Sequence, residues 1–348
     1  MTDKKTLNYA LVGCGNFGRQ HMDALVLRRD IKVIALCDKH IESCHEVNEK
    51  YELNAQCFDD YNEMLASMKF DIVTVATADK AHAGATIAAL NAGSHVLCEK
   101  PMSLFVDECK DMVAAADKND KLLMVGQIGR FAPAFQEAKK FVEQGLIGDL
   151  FFIESEYAHD YSHARGTDDW RVDPDREPII GGACHAIDLV RWIAGDPIET
   201  TAYSNHKVLT DWPVDDATVA IFKFPDNVIG KVFTSIGCKR EYTMRTVIYG
   251  TKGTITVDNT SNEFTLNLAD GNLAGGMFGT GEAGIKHKLK AAINNHNTAG
   301  EHEALIDSVV NGTPLLMTGR EGAKTVIVCR AVVESAKTGK PVKIEYNI

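Results

Sequence analysis

Apolar and polar positions follow two alternating rhythms in the first third of the chain. Short continuous apolar runs, typical of buried parallel strands, are separated by segments with apolar residues at helical spacing, such as Met22, Leu25 and Val26. This order predicts an α/β Rossmann domain with a doubly wound parallel sheet of at least five strands. The predicted strands are residues 9–12, 31–37, 70–77, 94–98 and 122–125, with helices after the first strand and at 80–92 and 104–118.

The rest of the chain has a different pattern. Short runs separated by turn residues predict an α+β domain with a large, mostly antiparallel, open sheet. The strands are expected at 151–158, 201–207, 218–224, 230–236, 245–249, 253–257 and 264–268, and helices at 135–144, 184–194, 301–311 and 319–338. The glycine-rich residues 270–298 predict a long loop with a short helical piece at 284–293. We therefore predict two domains, residues 1–126 and 127–348.

Composition restricts the partners and the compartment. The net charge of −11 opposes nucleic acid or an anionic membrane as a partner. No apolar run reaches the length of a membrane span, and the N-terminal residues lack the apolar segment of a signal peptide. The nine cysteines include no C-x-x-C pair, and Cys14, Cys37 and Cys98 fall in or beside predicted strands. These features predict a cytoplasmic protein with reduced thiols and no metal site.

Three glycines after the first strand have the spacing of a dinucleotide-binding loop. Gly13, Gly15 and Gly18 read G-x-G-x-x-G, and a helical segment follows them. The first glycine permits a tight turn, the second lets the backbone approach a pyrophosphate, and the third lets helix and strand pack closely. Asn16 and Phe17 open the helix, whose first N–H groups attract phosphate. We predict that all five residues bind the cofactor.

The acidic residue at the end of the second strand selects the cofactor. The carboxylate of Asp38 would accept hydrogen bonds from both ribose hydroxyls of NAD and repel a 2′-phosphate, so NAD is favoured over NADP. Lys39 and His40 follow it and weaken that discrimination. Ligands of doubly wound folds lie beyond the carboxyl ends of the strands. We therefore expect one cofactor rim that contains Asp38, Thr77, Glu99, Lys100 and Gln127.

Further motifs continue through both predicted domains. They include Thr77 with His82, AGSHVLCEKP at 92–101, VGQIGRFAPAF at 125–135, Trp170-Arg171, GGACHAIDLVRWIAG at 181–195, YGTKGTITVD at 249–258 and SAKTGKPVKI at 335–344. With these motifs the chain resembles the Gfo/Idh/MocA oxidoreductases, the family of glucose–fructose oxidoreductase and inositol 2-dehydrogenase, over nearly its whole length. The resemblance implies that His82, Trp170 and Arg171 lie near the nicotinamide end of NAD, and we predict that Thr77 also binds the cofactor.

The resemblance places a catalytic lysine at the E-K-P tripeptide. Lys100 occupies that position at a strand end, where a proton must be taken from the hydroxyl that loses its hydride. From spacing alone, Lys100 reads equally well as a surface lysine paired with Glu99. The resemblance favours catalysis by Lys100, with Glu99 orienting either the lysine or the cofactor.

The family's second catalytic residue is a histidine at the start of a helix. His185 holds this place, and Asp188 follows one turn later, where it either lies near the imidazole or caps the helix. Many members carry an aspartate four residues before this histidine, but the chain has Gly181 there. The proton relay is then expected to use Lys100 and His185 alone, or to recruit Asp168, Asp169 or Asp173.

An aromatic and polar segment is the expected substrate wall. Tyr157, His159, Tyr161, His163 and Arg165 alternate, so on a strand they share one face that suits stacking and hydrogen bonding with a sugar. An ordinary exposed strand is the main alternative, and a metal site at His159 and His163 lacks a third ligand. Further substrate-binding candidates are Arg130, which neighbours the cofactor or the substrate, Asp188, Lys100 and His185.

The sequence thus predicts an NAD-dependent oxidoreductase acting on a sugar, cyclitol or glycoside hydroxyl. Two alternatives remain. The first is an enzyme with permanently bound NAD that transiently oxidises a sugar for glycoside cleavage or sugar–sugar redox exchange. The second is a non-catalytic NAD-sensing regulator, which the presence of Lys100 and His185 disfavours. An uncovered apolar face of the second sheet would favour a homodimer or homotetramer.

Overall fold

The chain forms two compact units. The computed structural model describes residues 6–269, 285–290 and 296–348. The first unit comprises Met1–Gln127, Asn297–Val326 and Asn347–Ile348, and the second comprises Ile128–His296 and Ile327–Tyr346. The first unit thus takes in a late segment of the chain as well as the N-terminal part.

A six-stranded, all-parallel sheet forms the core of the first unit. Its strand order is β3-β2-β1-β4-β5-β6, the doubly wound arrangement expected from the alternating apolar runs. Strand β4 is buried along its whole length, because helices cover both faces of such a sheet. The bounds are β1 Leu7–Val12, β2 Ile31–Cys37, β3 Gln56–Phe58, β4 Ile72–Val75, β5 His95–Cys98 and β6 Leu123–Val125. The predicted Rossmann fold is confirmed.

Helices connect these strands. They are α1 Asn16–Leu25, α2 Ile41–Lys50, α3 Tyr61–Ser67, α4 His82–Asn91 and α5 Val106–Asn119. Helix α1 buries Gly18, His21, Met22 and Leu25. A helix from the C-terminal part, α9 Thr298–Asn311, packs against α1 within the same unit.

A nine-stranded sheet forms the second unit, in the order β14-β13-β12-β11-β7-β10-β9-β8-β15. Its pairs are antiparallel except β7 with β10. The mostly antiparallel sheet is therefore as predicted. The bounds are β7 Leu150–Ala158, β8 Glu199–Asn205, β9 Ala217–Lys223, β10 Ile229–Ser235, β11 Thr243–Gly250, β12 Gly253–Asp258, β13 Glu263–Leu268, β14 Ile285–Lys290 and β15 Val342–Lys343.

The two faces of this sheet differ. Side chains of one face, such as Ile153, Tyr157, Ala220 and Phe222, are buried, and helix α8 Cys184–Ala194 packs near β7. The opposite face alternates with it along each strand, as the period of two requires. The remaining helices are α6 Pro133–Glu143 and α7 Pro178–Gly181, and α10 Gly319–Thr338 runs from the first unit into the second.

One predicted element is wrong. Residues 285–290 form strand β14, paired antiparallel with β13, where a helical piece was expected at 284–293. The segment reads IKHKLK, in which lysine occupies every second position, and this period of two fits a strand better than a helix. The rest of the predicted loop, at 270–284 and 291–295, lies outside the described residues. Among the described helices, none combines the length and the apolar character needed to cross a membrane.

Candidate functional site

The glycine loop of the first unit has the geometry that a dinucleotide requires. Gly13 has φ 100°, and a Cβ there would lie 2.4 Å from the carbonyl oxygen of Ala76. A Cβ at Gly18 would lie 1.9 Å from the carbonyl oxygen of Gly13, so only glycine permits this approach of helix to loop. Gly15 faces open space and is the N-cap of α1, and as a glycine it offers no side-chain hydrogen bond to the first turn of that helix. The first N–H groups of α1 are thus left for a phosphate.

Asp38 is fixed beside this loop. Its Oδ2 accepts the N–H of Cys14 at 2.8 Å, and its Oδ1 accepts the N–H of His40 at 2.9 Å. These two bonds orient a half-buried carboxylate whose remaining lone pairs can accept ribose hydroxyls. The loop, the uncapped helix and the fixed acid together fit NAD. Asn16 is exposed and Phe17 half-buried in the first turn of α1.

His82 ties together the ends of two strands. Its Nδ1 lies 2.8 Å from the carbonyl oxygen of Pro101, and its Nε2 lies 3.2 Å from that of Thr77. Burial alone would lower the pKa of this ring, but Cys98, Asp79 and the Pro101 carbonyl favour its charged form and raise the pKa to about 9. Only a doubly protonated ring donates to both carbonyls. The structure places His82 as a buried link under the rim.

Lys100 lies two residues after the end of β5 and is joined to Pro101 by a cis peptide bond. It is half-buried, with Nζ 5.8 Å from the ring centroid of Phe17. Its main-chain N–H donates to Oε2 of Glu99 at 3.0 Å, while Oε1 of Glu99 lies 2.8 Å from Nε2 of His21. Burial raises the pKa of Glu99, but the bond with His21 and the charge of Lys100 outweigh it and lower the pKa. Glu99 is therefore a buried carboxylate that bonds both to His21 of α1 and to the main chain of Lys100.

Gln127 is the last residue of the rim. It is buried, its N–H donates to Val125, and its Oε1 has no hydrogen-bond partner within the described residues. A buried amide oxygen without a partner carries a desolvation penalty, which a donor from a bound ligand would remove. Asp38, Thr77, Glu99, Lys100 and Gln127 all lie at strand ends of the one sheet, as expected.

Sequence reasoning missed a buried polar cluster next to Glu99. The cluster consists of Tyr9, His21, Glu301 and His302, all fully buried. His21, Glu99 and Glu301 have metal-binding side-chain types, with ligand atoms within 4.8 Å of one another. However, Nε2 of His21 and both oxygens of Glu99 are already engaged in hydrogen bonds. We therefore assign the group to hydrogen bonding. The only signal in the sequence was histidine on the apolar face of each helix.

In the second unit, an aromatic cluster surrounds the predicted substrate wall. The Tyr157 and Tyr161 hydroxyls are hydrogen-bonded at 2.9 Å, and the His185 ring centroid lies 6.2 Å from that of Tyr157. The ring of His159 lies 5.1 Å from Tyr161 and 4.9 Å from Tyr242. Burial raises the pKa of Tyr157 and of Tyr242, so both phenols keep their protons. Tyr242 was not predicted from the sequence.

The expected strand does not extend through the whole wall. Strand β7 ends at Ala158, so the alternation stops there and His163 and Arg165 do not share the predicted face. His163 is exposed, and Arg165 pairs with Asp169 and Asp211. The turn that follows β7 breaks the period of two on which the prediction relied. Tyr157, His159 and Tyr161 are still brought together.

Arg130 and Asp188 form a buried ion pair. Nε and Nη2 of Arg130 donate to the two carboxylate oxygens of Asp188 at 2.7 and 2.8 Å, and the guanidinium lies 5.7 Å from the Trp192 ring centroid. Nη1 of Arg191 lies 3.9 Å from Oδ1 of the same carboxylate. Both predicted residues thus contribute to fixing α8, the helix that carries His185.

Arg176 fills the space beside Gly181. A Cβ at Gly181 would lie 2.4 Å from Cζ of Arg176, whose Nη2 donates to the Gly181 carbonyl at 3.0 Å. Gly181 does not have a positive φ, so it is the arginine and not the backbone that requires a glycine here. The Trp170 ring lies under the guanidinium groups of Arg171 and Arg176, whose Cζ atoms are 4.3 and 5.0 Å from the ring centroid.

The three carboxylates expected as possible replacements for an aspartate at position 181 have different surroundings. Asp168 is exposed, and Asp169 pairs with Arg165. Oδ1 of Asp173 accepts the N–H of Asp175 at 2.9 Å.

Comparison with known proteins agrees with this geometry. Residues 7–127 match the family described as an oxidoreductase family with an NAD-binding Rossmann fold, and residues 135–256 match the GFO/IDH/MocA C-terminal domain. The chain is 25% identical to myo-inositol 2-dehydrogenase of Thermotoga maritima, covering 98% of this chain and 100% of that protein. It is 29% identical to D-glucoside 3-dehydrogenase of Escherichia coli over 59% of each chain.

The solved structures support the same fold. Levoglucosan dehydrogenase in complex with NADH and L-sorbose superposes with a TM-score of 0.87 at 21% identity, covering 98% of this chain and 99% of that one. NAD is thus the cofactor for which the glycine loop and Asp38 are built. With both of its domains matched, the chain belongs to the Gfo/Idh/MocA family of NAD-binding oxidoreductases.

Proposed function

We propose that the protein transfers a hydride between a sugar, cyclitol or glycoside hydroxyl and the nicotinamide of NAD, with Lys100 and His185 as its proton relay. The observation that carries the proposal is the position of Lys100, two residues after β5 on the rim that also holds the glycine loop and Asp38. A proton donor and acceptor is needed there, because removal of a hydride from an alcohol carbon leaves a hydroxyl proton.

Each residue then has a defined task. NAD supplies the hydride acceptor when bound. Lys100 takes the hydroxyl proton at Nζ, and His185 holds the reacting hydroxyl and assists the transfer. The rings and hydroxyls of Tyr157, Tyr161 and His159 suit a carbohydrate, whose C–H faces pack on aromatic rings while its hydroxyls form hydrogen bonds. The named activities of the relatives, on inositol and on D-glucosides, support this substrate class.

A substrate panel tests the proposal. Purified protein with added NAD would be offered myo-inositol, D-glucosides and levoglucosan, and NADH absorbance would be followed at neutral and alkaline pH. We expect reduction of NAD with at least one of these compounds, and its loss in the Lys100→Met variant. A silent panel with NADH that copurifies and does not dissociate on gel filtration would favour permanently bound NAD instead. A silent panel with freely exchanging NAD would contradict catalysis.

We also propose the compartment and the self-association of the enzyme. We propose the reducing cytoplasm as its compartment, which suits nine cysteines that form no disulfide in the described structure. The open face of the second sheet presents Tyr203, Ile221 and Ile229, exposed by 70%, 47% and 49%. We propose that a second copy of this chain covers that face, since large apolar side chains exposed on one sheet face are typical of an interface.

A further inference from the structure

A line of buried side chains runs through the first unit and ends at the residue before Lys100. The Tyr9 hydroxyl lies 2.5 Å from Oγ1 of Thr74 and 3.0 Å from Nδ1 of His302. Nε2 of His302 lies 3.0 Å from Nδ1 of His21, whose Nε2 lies 2.8 Å from Oε1 of Glu99. We call these five residues the buried chain. It joins β1, β4, α9, α1 and the end of β5.

When Glu99 is ionised and the other four residues are neutral, the hydrogen bonds of the buried chain can run in only one direction, with each donor pointing toward Glu99. The Nε2–H of His21 donates to the carboxylate, so its Nδ1 must accept from Nε2–H of His302. Nδ1 of His302 then accepts the Tyr9 O–H, and the Tyr9 oxygen accepts from Thr74. Burial lowers the pKa of His302 and raises that of Tyr9, so both groups are neutral as the assignment requires.

The position of the Glu99 carboxylate is restricted by its neighbours. Oε2 accepts the N–H of Lys100, and a Cβ on the neighbouring Gly126 would come within 3.3 Å of Cδ and Oε1. Because the strand end is small at Gly126, the carboxylate fills the space and is held from three sides. The N–H of Lys100 is thus bonded to a carboxylate whose position His21 and the backbone at Gly126 restrict.

Glu301 completes the surroundings of the carboxylate. It is fully buried, and neither of its oxygens has a hydrogen-bond partner within the described residues. Burial, and then the charge of Glu99, raises its pKa well above the usual value. Two adjacent buried carboxyl groups do not both ionise. With Glu301 neutral, the single negative charge stays on Glu99, next to Lys100.

From these contacts we infer that His21 and His302 are positioning residues for Lys100: they hold Glu99 as an oriented anion, whose bond to the Lys100 N–H fixes where the lysine leaves the strand end. The inference rests on the role proposed for Lys100. It extends that role to two helices that touch neither substrate nor cofactor through these side chains. Removing either histidine should release Glu99 without dismantling the glycine loop.

The first test measures Lys100 without a substrate. An amine-reactive N-hydroxysuccinimide ester labels free lysine, and mass spectrometry of the Lys100 peptide gives the pH midpoint of labelling. In His21→Leu we expect this midpoint to change, because the carboxylate beside Lys100 is no longer held in place. His21→Gln retains an amide N–H donor and should return most of the shift. His302→Gln, one step further along, should move the midpoint less than His21→Leu.

A matched control separates position from general stability. His95 lies on β5 in the same unit, and its Nδ1 accepts the N–H of Leu122 at 3.0 Å, outside the buried chain. His95→Gln should leave the labelling midpoint unchanged even if it lowers the melting temperature. In turnover with an active panel compound, His21→Leu should lower kcat by about 10²-fold, with NAD affinity changed by less than about threefold.

The outcomes are distinct. An unchanged midpoint in folded His21→Leu, or an equal shift in His95→Gln, would overturn the inference. If His21→Leu does not fold, an unchanged midpoint in His302→Gln decides against it. Lys100→Met tests the underlying proposal separately. If that variant keeps its turnover, the catalytic assignment of Lys100 fails, while the labelling midpoints still report whether the buried chain positions it.

Discussion

Asp38 is the side chain on which the choice of cofactor depends. Its two oxygens are oriented by the N–H groups of Cys14 and His40. Asp38→Ala should weaken NAD binding by roughly 2–4 kcal/mol, because ribose hydrogen bonds to a charged acceptor are lost. It should also reduce the preference for NAD over NADP, since the repulsion of a 2′-phosphate disappears. Fluorescence titration with NADH and NADPH measures both effects. Unchanged NADH affinity would show that Asp38 is not the ribose ligand.

A substitution of Lys100 can separate the effect on turnover from the effect on NAD binding. Lys100→Met replaces the side chain by an unbranched apolar one that lacks the amine, and the main-chain N–H that bonds Glu99 is untouched. NAD affinity should therefore stay near that of the wild type, while turnover falls by about 10²–10⁴-fold through loss of acid–base catalysis. Steady-state kinetics and NADH titration on the same preparation give the two numbers. Retention of more than about a tenth of the turnover would contradict the proposed role.

Arg176 and Gly181 form a pair that a double-mutant cycle can test. Gly181→Ala places a Cβ 2.4 Å from the arginine Cζ, so we expect a loss of roughly 1–3 kcal/mol in the free energy of unfolding. In an Arg176→Ala background the same methyl group meets no guanidinium, and the loss should be smaller by about 0.5–3 kcal/mol. Denaturant unfolding of the four proteins measures the coupling. Strictly additive losses would mean that the arginine does not occupy this space.

At the scale of elements, helix α9 brings a buried acid into the first unit. Burial and the charge of Glu99 raise the pKa of Glu301, so the folded protein keeps this proton at pH values where the unfolded chain releases it. Stability must then fall as pH rises above the unfolded value of about 4.3. Glu301→Gln is neutral at every pH and removes this dependence. Its melting temperature should match the wild type near pH 4.5 and exceed it increasingly toward pH 8.

The matched control for Glu301 lies on the same helix. Glu303 is exposed, and Glu303→Gln should follow the wild-type pH dependence of melting. Thermal melts of the three proteins across this pH range make the comparison. Parallel curves for Glu301→Gln and the wild type would contradict a raised pKa at this position.

How far the sequence predicts an element depends on the range of its contacts. Helices α8 and α10 have the predicted bounds, because their period and their flanking glycines are local signals. The three-residue β3 was not predicted, since it is too short to show a period. The glycine loop and Lys100 followed from motifs. The buried chain did not, because His21 and His302 meet across 281 positions of sequence and neither histidine belongs to a local pattern.

At the scale of the whole molecule, the open face of the second sheet predicts self-association. Ile221 lies on β9 beside Lys231 of β10 and Thr201 of β8, with its side chain 47% exposed on that face. If a second copy covers the face, Ile221→Lys would bury a charge without a partner, which costs several kcal/mol at an interface. We therefore expect the wild type to be a dimer or tetramer and Ile221→Lys to dissociate.

The control for the oligomer is an exposed apolar residue of the other unit. Leu27, exposed by 83%, lies in the first unit, and Leu27→Lys adds the same charge away from the sheet. Size-exclusion chromatography with light scattering gives the mass of each protein at matched concentration. A smaller mass for Ile221→Lys alone places the contact on the open face, since both variants carry the same added charge. A monomeric wild type, or an Ile221→Lys variant with unchanged mass, would show that this face does not join copies of the chain.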